Sequence, residues 1–239
     1  MKKNIVYMLP LMAVMMVMMA CSSKPGEVSD AVASIKVPYE MMDGFTVNTF
    51  QSNDTAFVAE CTISDPYMAE VFTNAEYMMV NINNAAKHDD FKLVRAAMAD
   101  NDMKMTVVAK NVAGELVNKL TMTAEQFGGK LDKAMVVRAT AAAENAGCPM
   151  DMDDGRKLLS AKAQGDDTVV YTMECGENYR STDFVSIEDA MKRAMINSMA
   201  DAAGKRERNA MGIYYKYIYK IGGDTLHVLT ITPHDWLLY

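Results

Sequence analysis

The sequence is poor in the residues that most enzyme and metal sites use. It contains only three histidines, His88, His227 and His234, and none of them lies in a His-Glu-x-x-His arrangement. Neither a Gly-x-Ser-x-Gly elbow nor a phosphate-binding glycine loop is present. We therefore expect no catalytic residue, no metal site and no cofactor.

Basic residues are also in the minority. Lysine and arginine number 24 against 31 aspartate and glutamate residues, which gives a net charge of −7. Because no long basic stripe interrupts this balance, the composition argues against a nucleic-acid partner and against an electrostatic membrane patch. Half of the residues are hydrophobic, which predicts a packed core rather than a disordered chain.

The N-terminus has the parts of a secretory signal. Lys2 and Lys3 precede a mostly apolar segment at residues 5–19, which is shorter than the ~20 residues that a spanning helix needs. The segment ends in Val17-Met18-Met19-Ala20-Cys21, which resembles the lipobox of bacterial lipoproteins. It departs from that pattern at Met18, where leucine is commonest.

This resemblance implies cleavage before Cys21 and a thioether-linked diacylglycerol on its sulfur. In many such proteins the amino group carries a further acyl chain, such as palmitate. The protein would then be anchored to a membrane of the bacterial cell envelope, with its body in the periplasm or on the cell surface. Several chains give firm attachment, since each buried methylene contributes ~0.8 kcal/mol. A short membrane anchor left uncleaved is the alternative.

Residues 21–34 are predicted to be a lipidated tether. Ser22 to Asp30 are polar and include proline and glycine, which favours a flexible segment long enough to hold the body clear of lipid headgroups.

Internal duplication organises the rest of the chain. Residues 114–127 align without gaps on residues 223–236 as Gly-Glu-Leu-Val-Asn-Lys-Leu-Thr-Met-Thr-Ala-Glu-Gln-Phe and Gly-Asp-Thr-Leu-His-Val-Leu-Thr-Ile-Thr-Pro-His-Asp-Trp. Upstream, Val37-Pro38 with Asp43-Gly44 matches Cys148-Pro149 with Asp154-Gly155 at the same spacing.

We predict two copies, at residues 35–127 and 147–239. Residues 128–146 join them, and the alanine content of this linker favours a helix.

Each copy predicts the same order of elements. Runs rich in β-branched and aromatic residues flank turn signals, and a longer segment between the two hairpins has helical character. We expect strands near residues 45–51, 55–63, 103–110 and 115–122 with a helix or broken helix over 74–100, and then strands at 157–163, 168–175, 211–221 and 224–232 with a helix from 186 to about 206. The fold class is therefore α+β: two tandem ββαββ repeats, each a four-stranded antiparallel sheet with one helix packed on a face.

Three cysteines remain if Cys21 is lipidated, and an exported protein meets an oxidising compartment. We predict a disulfide between Cys148 and Cys175, because it would connect the leading loop of the second copy to a strand. Cys61 with Cys175 is the second choice, and three unpaired thiols are the alternative.

Tyrosines dominate one predicted strand of the second copy. By strand alternation Tyr215, Tyr217 and Tyr219 share a face. If that face is exposed, the rings could stack on a glycan or anchor a protein partner. Packing beneath the helix is the competing interpretation.

An acidic loop resembles a calcium site only in part. In the segment Asp151-Met-Asp153-Asp154-Gly155, glycine stands at the fifth place instead of the sixth, and Lys162 occupies the twelfth. A turn is the better interpretation.

These observations favour a non-enzymatic binding or protein-interaction module on a membrane anchor. An envelope hydrolase with an unrecognised site and a purely structural envelope component are the other hypotheses.

Overall fold

The computed structural model describes residues 25–152, 155–199 and 211–238. Within them the chain forms two five-stranded sheets, each with helices packed against it. The predicted α+β class with two repeated units is therefore confirmed.

The first repeat contains four helices and five strands. Its crossover helix, predicted as whole or broken, is interrupted by a short 3₁₀ turn at Asp89–Phe91. The elements are α1 (Pro25–Ser34), β1 (Tyr39–Met42), β2 (Phe45–Ser52), β3 (Ala56–Ile63), α2 (Pro66–Val71), α3 (Ala75–Ala85), α4 (Lys92–Asp100), β4 (Lys104–Asn111) and β5 (Leu116–Met122).

The second repeat follows the same order with fewer helices. A 3₁₀ turn at Glu177–Ser181 leads into its crossover helix, which is described as far as Met199, so the predicted continuation to about Arg206 lies outside the described residues. The elements are α5 (Lys133–Ala146), β6 (Met150–Asp151), β7 (Lys157–Gln164), β8 (Thr168–Glu174), α6 (Phe184–Met199), β9 (Tyr214–Ile221), β10 (Asp224–Ile231) and α7 (Asp235–Leu238).

Side-chain caps fix where several helices begin. The Asp65 carboxylate accepts a hydrogen bond from the backbone N–H of Met68 at 2.8 Å, so α2 starts directly after it. Asn74 caps α3 and Asp132 caps α5 with the same geometry. Each cap satisfies a backbone donor that the first helical turn leaves without a partner.

The strand order in the sheets is β1-β2-β3-β4-β5 and β6-β7-β8-β9-β10. The predicted hairpins are antiparallel, but the central pairs, β3 with β4 and β8 with β9, are parallel. A helical connection carries the chain back along the sheet, so the next strand runs in the same direction as its neighbour. The sheets thus differ from the four antiparallel strands expected in this pairing and in the leading strands β1 and β6.

The two sheets share their irregularities. A bulge interrupts the β2–β3 pairing between Val47 and Thr49, and another interrupts β7–β8 between Leu158 and Ser160. The turns before β2 and β7 contain Gly44 and Gly155 with φ values of 72° and 81°. Such angles favour glycine, so the matched Asp-Gly motifs mark one equivalent turn.

A helix replaces most of the predicted tether. In α1 and just after it, Val28, Ala31, Val32 and Ile35 recur at helical spacing and pack on the first core. Residues 25–34 are therefore part of the folded body, and the expectation of a flexible segment there is wrong.

Helix α5 holds the corresponding place before the second sheet. It lies within the predicted linker and packs on β7 and β8. The helices α1 and α5 both belong to the repeat, and the predicted copy boundaries at residues 35 and 147 leave them out.

Each repeat has its own core on the inner face of its sheet, which is the face that the helices cover. The first core is built from phenylalanine, methionine and aliphatic residues, and the second carries four tyrosines. Fully buried side chains of the first core include Phe45, Phe57, Phe72, Phe91, Met78, Met98 and Met105.

The helices of the two repeats meet at a junction between α3 and α5. Met79 and Val80 of α3 pack against the second core. At the rim, Arg138 donates two hydrogen bonds to Glu76, at 3.1 Å and 2.6 Å. No helix within the described part of the chain is long and apolar enough to cross a membrane.

Candidate functional site

The three tyrosines predicted to bind a ligand lie in the second core. Tyr215, Tyr217 and Tyr219 share one face of β9, as predicted, but that face is the inner one, with exposed fractions of 4%, 9% and 0%. The ring of Tyr217 stacks on Tyr171 at 4.7 Å. A ligand on the folded surface cannot reach these rings, so the ligand-binding hypothesis lacks the exposed face that it requires.

Burial also determines the protonation of these phenols. Desolvation, with smaller contributions from Glu144 and the neighbouring tyrosines, raises the pKa of Tyr217 far above its usual value. Burial and a hydrogen bond with Glu144 raise the pKa of Tyr171 in the same direction. Both side chains are therefore protonated at neutral pH and supply no general base.

Cys61, Cys148 and Cys175 are thiols, so the predicted Cys148–Cys175 disulfide is not formed in the structure. Cys148 lies near Ala161, in the middle of β7, whereas Cys175 follows Glu174, which pairs with Lys157. Four strand residues correspond to ~13 Å. This separation exceeds the ~7 Å between Cα atoms that a disulfide tolerates.

Cys61 and Cys148 are not activated nucleophiles. Burial, together with Glu60, raises the pKa of Cys61 to about 12. Burial and Glu144 raise the pKa of Cys148, whose Sγ donates a hydrogen bond to the backbone oxygen of Glu144 at 3.3 Å. A nucleophilic cysteine needs the opposite shift, because the thiolate is the reactive form.

A polar network joins α6 to β10 and to the C-terminal turn. Lys192 lies 3.0 Å from Glu188 and 3.8 Å from Asp235. His227 stacks on Phe184, with its Nε2 atom 3.7 Å from Glu188. The contacts run between elements of the second repeat, which is the pattern of a structural network.

No group of three or more metal-ligating side chains occurs in the chain segments that the structure covers. Asp151 of the acidic loop pairs with Lys157 at 3.2 Å. The loop residues Asp153 and Asp154, and the predicted lipidation site Cys21, lie outside the described residues.

The outer faces of the two sheets, on the side opposite the helices, remain accessible. On the first sheet an open depression of about 640 Å³ is lined mainly by threonine, valine and lysine side chains of β3, β4 and β5. They include Val58, Thr106, Val108, Lys119 and Thr121.

The second outer face has an aliphatic centre. Strand pairing places Thr172, Ile218 and Val228 in one row across β8, β9 and β10. In the adjacent row Val170 lies between Lys162 and Lys216. Val228 is 42% exposed, and Val170 and Ile218 are half-buried.

Lysine collects on these outer faces although the chain as a whole is acidic. By alternation with buried neighbours, the outward strand positions carry seven lysines and four carboxylates. The lysines are Lys104, Lys110, Lys119, Lys157, Lys162, Lys216 and Lys220, and the carboxylates are Glu40, Glu60, Asp151 and Glu174. Sequence reasoning missed these surfaces, because each strand contributes only one or two lysines. The signal that could have found them is lysine at alternate positions of predicted strands.

No family model matches this chain, and no curated protein matches it either. Among solved structures, it is similar to a Pseudomonas aeruginosa protein regarded as secreted, with 11% identity over 46% of this chain and 99% of that one, at a TM-score of 0.38. It is also similar to a type 2 secretion system pilotin of Vibrio vulnificus, with 13% identity, 43% and 90% coverage and a TM-score of 0.36. A type II secretion system pilotin of Vibrio cholerae matches with 17% identity, the same coverage and a TM-score of 0.34.

Proposed function

We propose that this protein is a lipid-anchored component of the bacterial cell envelope whose body binds other proteins without catalysing a reaction. The observation that carries the proposal is the pair of accessible outer sheet faces, with lysines around an aliphatic centre on the second. Protein-binding surfaces combine a desolvated apolar centre with a polar rim in this way.

The chemistry of the described residues supports binding over catalysis. Cys61, Cys148, Tyr171 and Tyr217 have raised pKa values. Tyr215, Tyr217 and Tyr219 are also buried. Burial of the tyrosines also removes the reason to favour a glycan ligand.

The proposed anchor would hold the body close to the bilayer. Helix α1 begins at Pro25, four residues after Cys21. Four extended residues reach at most ~14 Å. We therefore expect the first repeat to lie near the lipid headgroups instead of at the end of a long tether.

The anchor is tested with Cys21→Ser in a bacterial host. We expect the native protein in the detergent phase of a Triton X-114 extraction and the variant in the aqueous phase, because the acyl chains provide the attachment. Cys148→Ser is the matched control and is expected to partition like the native protein. A mature native protein that keeps Met1, or a variant that partitions unchanged, would refute the proposed anchor.

The interaction role is tested by site-specific photo-cross-linking in living cells. A photoreactive residue is placed at Thr106 or Thr121 on the first outer face, or at Thr172 or Thr230 on the second. Adducts with other envelope proteins at one of these faces are expected. Absence of adducts at all four positions would contradict the interaction role.

A further inference from the structure

The outer faces of the two sheets use equivalent strand positions, but the residues at the centres of the faces differ. The pairing of Ala56 with Lys104 and of Thr168 with Tyr214 makes Glu60 in the first sheet equivalent to Thr172 in the second. Glu60 is exposed and lies beside Val108. The first face therefore has a carboxylate at its centre, and the second has a neutral hydroxyl.

The second face combines this neutral centre with an aliphatic cluster. Val228 occupies the position that Lys119 holds in the first sheet, next to Ile218 in place of Val108. With Val170 in the adjacent row, three aliphatic side chains are contiguous across three strands. Their partial exposure leaves apolar area that a partner would remove from water.

Positive charge surrounds that cluster. Lys162 and Lys216 flank Val170 on both sides, and Lys220 lies two residues further along β9 than Ile218. These three lysines form no ion pair with the described residues. The carboxylate of Glu174, which accepts a hydrogen bond from the backbone N–H of Gly222 at 2.8 Å, lies beside Lys220 and offsets part of this charge. Lys162 and Lys216 are therefore the main positive groups of the face.

We infer that the outer face of the second sheet is a docking surface for a partner protein that presents aliphatic side chains flanked by carboxylates. Charge complementarity selects an acidic partner, and the aliphatic centre favours a polypeptide over a polysaccharide. This inference rests on the proposed interaction role and specifies where that role is performed and with what chemistry.

The outer face of the second sheet lies apart from the junction between the two repeats. The proposed anchor precedes α1, which packs on the first repeat, while the α3–α5 junction lies between that repeat and the second sheet. The second outer face points away from this junction. The helices of the junction therefore do not cover it, and it is open to a partner protein.

The first test selects binding peptides from a random twelve-residue display library, with the chain from Ser22 onward as bait. We expect the enriched peptides to combine leucine, isoleucine or valine with aspartate and glutamate. For the double variant Lys162→Glu with Lys216→Glu, we expect at least about tenfold weaker binding of an enriched peptide at low salt. Enriched peptides without acidic residues, or binding that this variant leaves unchanged, would overturn the inference.

The matched control reverses two lysines on the other sheet, Lys104→Glu with Lys119→Glu. It makes the same change in net charge on the same type of surface, and we expect less than about twofold change in peptide binding. Thermal unfolding of both variants checks that the sheets remain folded. An equal loss in both variants would mean that net charge alone drives binding, and would overturn the site assignment.

Sedimentation with lipid vesicles tests whether the surface binds a membrane instead of a protein. We expect the same chain not to sediment with vesicles of phosphatidylcholine and phosphatidylglycerol in a 70:30 ratio at physiological salt. Sedimentation that is lost on Lys162→Glu with Lys216→Glu would identify a membrane surface and overturn the protein partner.

The cross-linking positions separate this inference from the proposed function. Adducts at Thr172 or Thr230 that disappear in the Lys162→Glu, Lys216→Glu background support both. Adducts confined to Thr106 or Thr121 would leave the interaction role standing and overturn the inference, whereas adducts at none of the four would overturn both.

Discussion

The two repeats place different side chains on the same framework. Equivalent inner positions carry Ala59, Val107 and Ala109 in the first sheet and Tyr171, Tyr217 and Tyr219 in the second. Small strand residues leave room, and in the first repeat the helices and turns fill it with Phe72, Phe91 and Met98. In the second repeat the sheet itself supplies the volume, and the described crossover contains a single α-helix.

The comparison shows that the buried side-chain volume at the centre of a core can come from the strands or from the helices. Interiors are packed at a nearly constant density, so large strand residues must be matched by less bulk from the helices. The same strand pairing therefore accommodates one sheet whose central positions are filled from helices and turns and another whose central positions carry their own tyrosines. Nearer the start of the strands the difference is reversed, with Phe57 in the first sheet and Val169 in the second.

Truncation of a large core residue is expected to have the largest effect. Phe57 is fully buried and stacks on Phe50 at 5.6 Å. Phe57→Ala should lower the free energy of unfolding by ~3–5 kcal/mol. Val169→Ala at the equivalent position of the second sheet should cost less, because a smaller side chain is lost. Urea denaturation followed by circular dichroism measures both, and equal costs would show that the larger side chain of the first sheet does not contribute more at this position.

Titration of Cys61 should make stability depend on pH in the first core. Its pKa is raised from 9.0 to about 12 in the folded state, so the folded chain keeps a proton that the unfolded chain loses. The resulting stabilisation is fully present below pH 9 and is lost as the pH rises towards 12.

The second repeat has Met173, which does not titrate, at the position of Cys61. Cys61→Ala should therefore flatten the fall in stability between pH 9 and 12 in urea titrations, whereas Cys148→Ala should reduce it less. A slope that Cys61→Ala leaves unchanged would assign the effect to other groups.

Removal of one tyrosine hydroxyl should lower the stability of the second repeat by a moderate amount. The first repeat has no tyrosine at the equivalent position. Tyr171 is hydrogen-bonded to Glu144, and the first sheet has Ala59 at the same position. Tyr171→Phe should cost ~1–3 kcal/mol, because a buried hydrogen bond to a charged acceptor is lost. In a double-mutant cycle with Glu144→Ala the two losses should not add, and full additivity would show that the bond is absent in solution.

Of these interactions, the ion pair across the junction should contribute least to the free energy of unfolding. Arg138 and Glu76 form a bidentate pair, but their side chains are 50% and 37% exposed. The coupling energy from Arg138→Ala and Glu76→Ala should be ~0.2–1 kcal/mol and should decrease with added salt. A coupling above ~2 kcal/mol would mean that this pair, and not the apolar contacts of α3, holds the repeats together.

Strand positions were predictable because local sequence determines them. The expected strands at 157–163 and 168–175 match β7 and β8 to within one residue, since alternation and turn residues act over short distances. The duplication was visible for the same reason: the matched Asp-Gly turns need glycine at one backbone position in each copy.

Burial and the outer faces were not predictable in the same way. Alternation places Tyr215, Tyr217 and Tyr219 on one side of β9 but does not say which side the helices cover. The lysines of the outer faces come together only after β7 and β8, then β8 and β9, are paired. Helix α1 was missed because the polar residues Ser29 and Asp30 interrupt a stripe whose apolar positions are few.

Helix α5 has a consequence for the order in which the chain matures. It contacts α3 on one side and the second sheet on the other. Met79 and Val80 of α3 therefore become more exposed to water when α5 is absent. During synthesis the first repeat is complete before α5 has been made, and until then these apolar side chains are accessible to chaperones or proteases. Docking of α5 buries these side chains. The first repeat is therefore protected only after the beginning of the second repeat has been made.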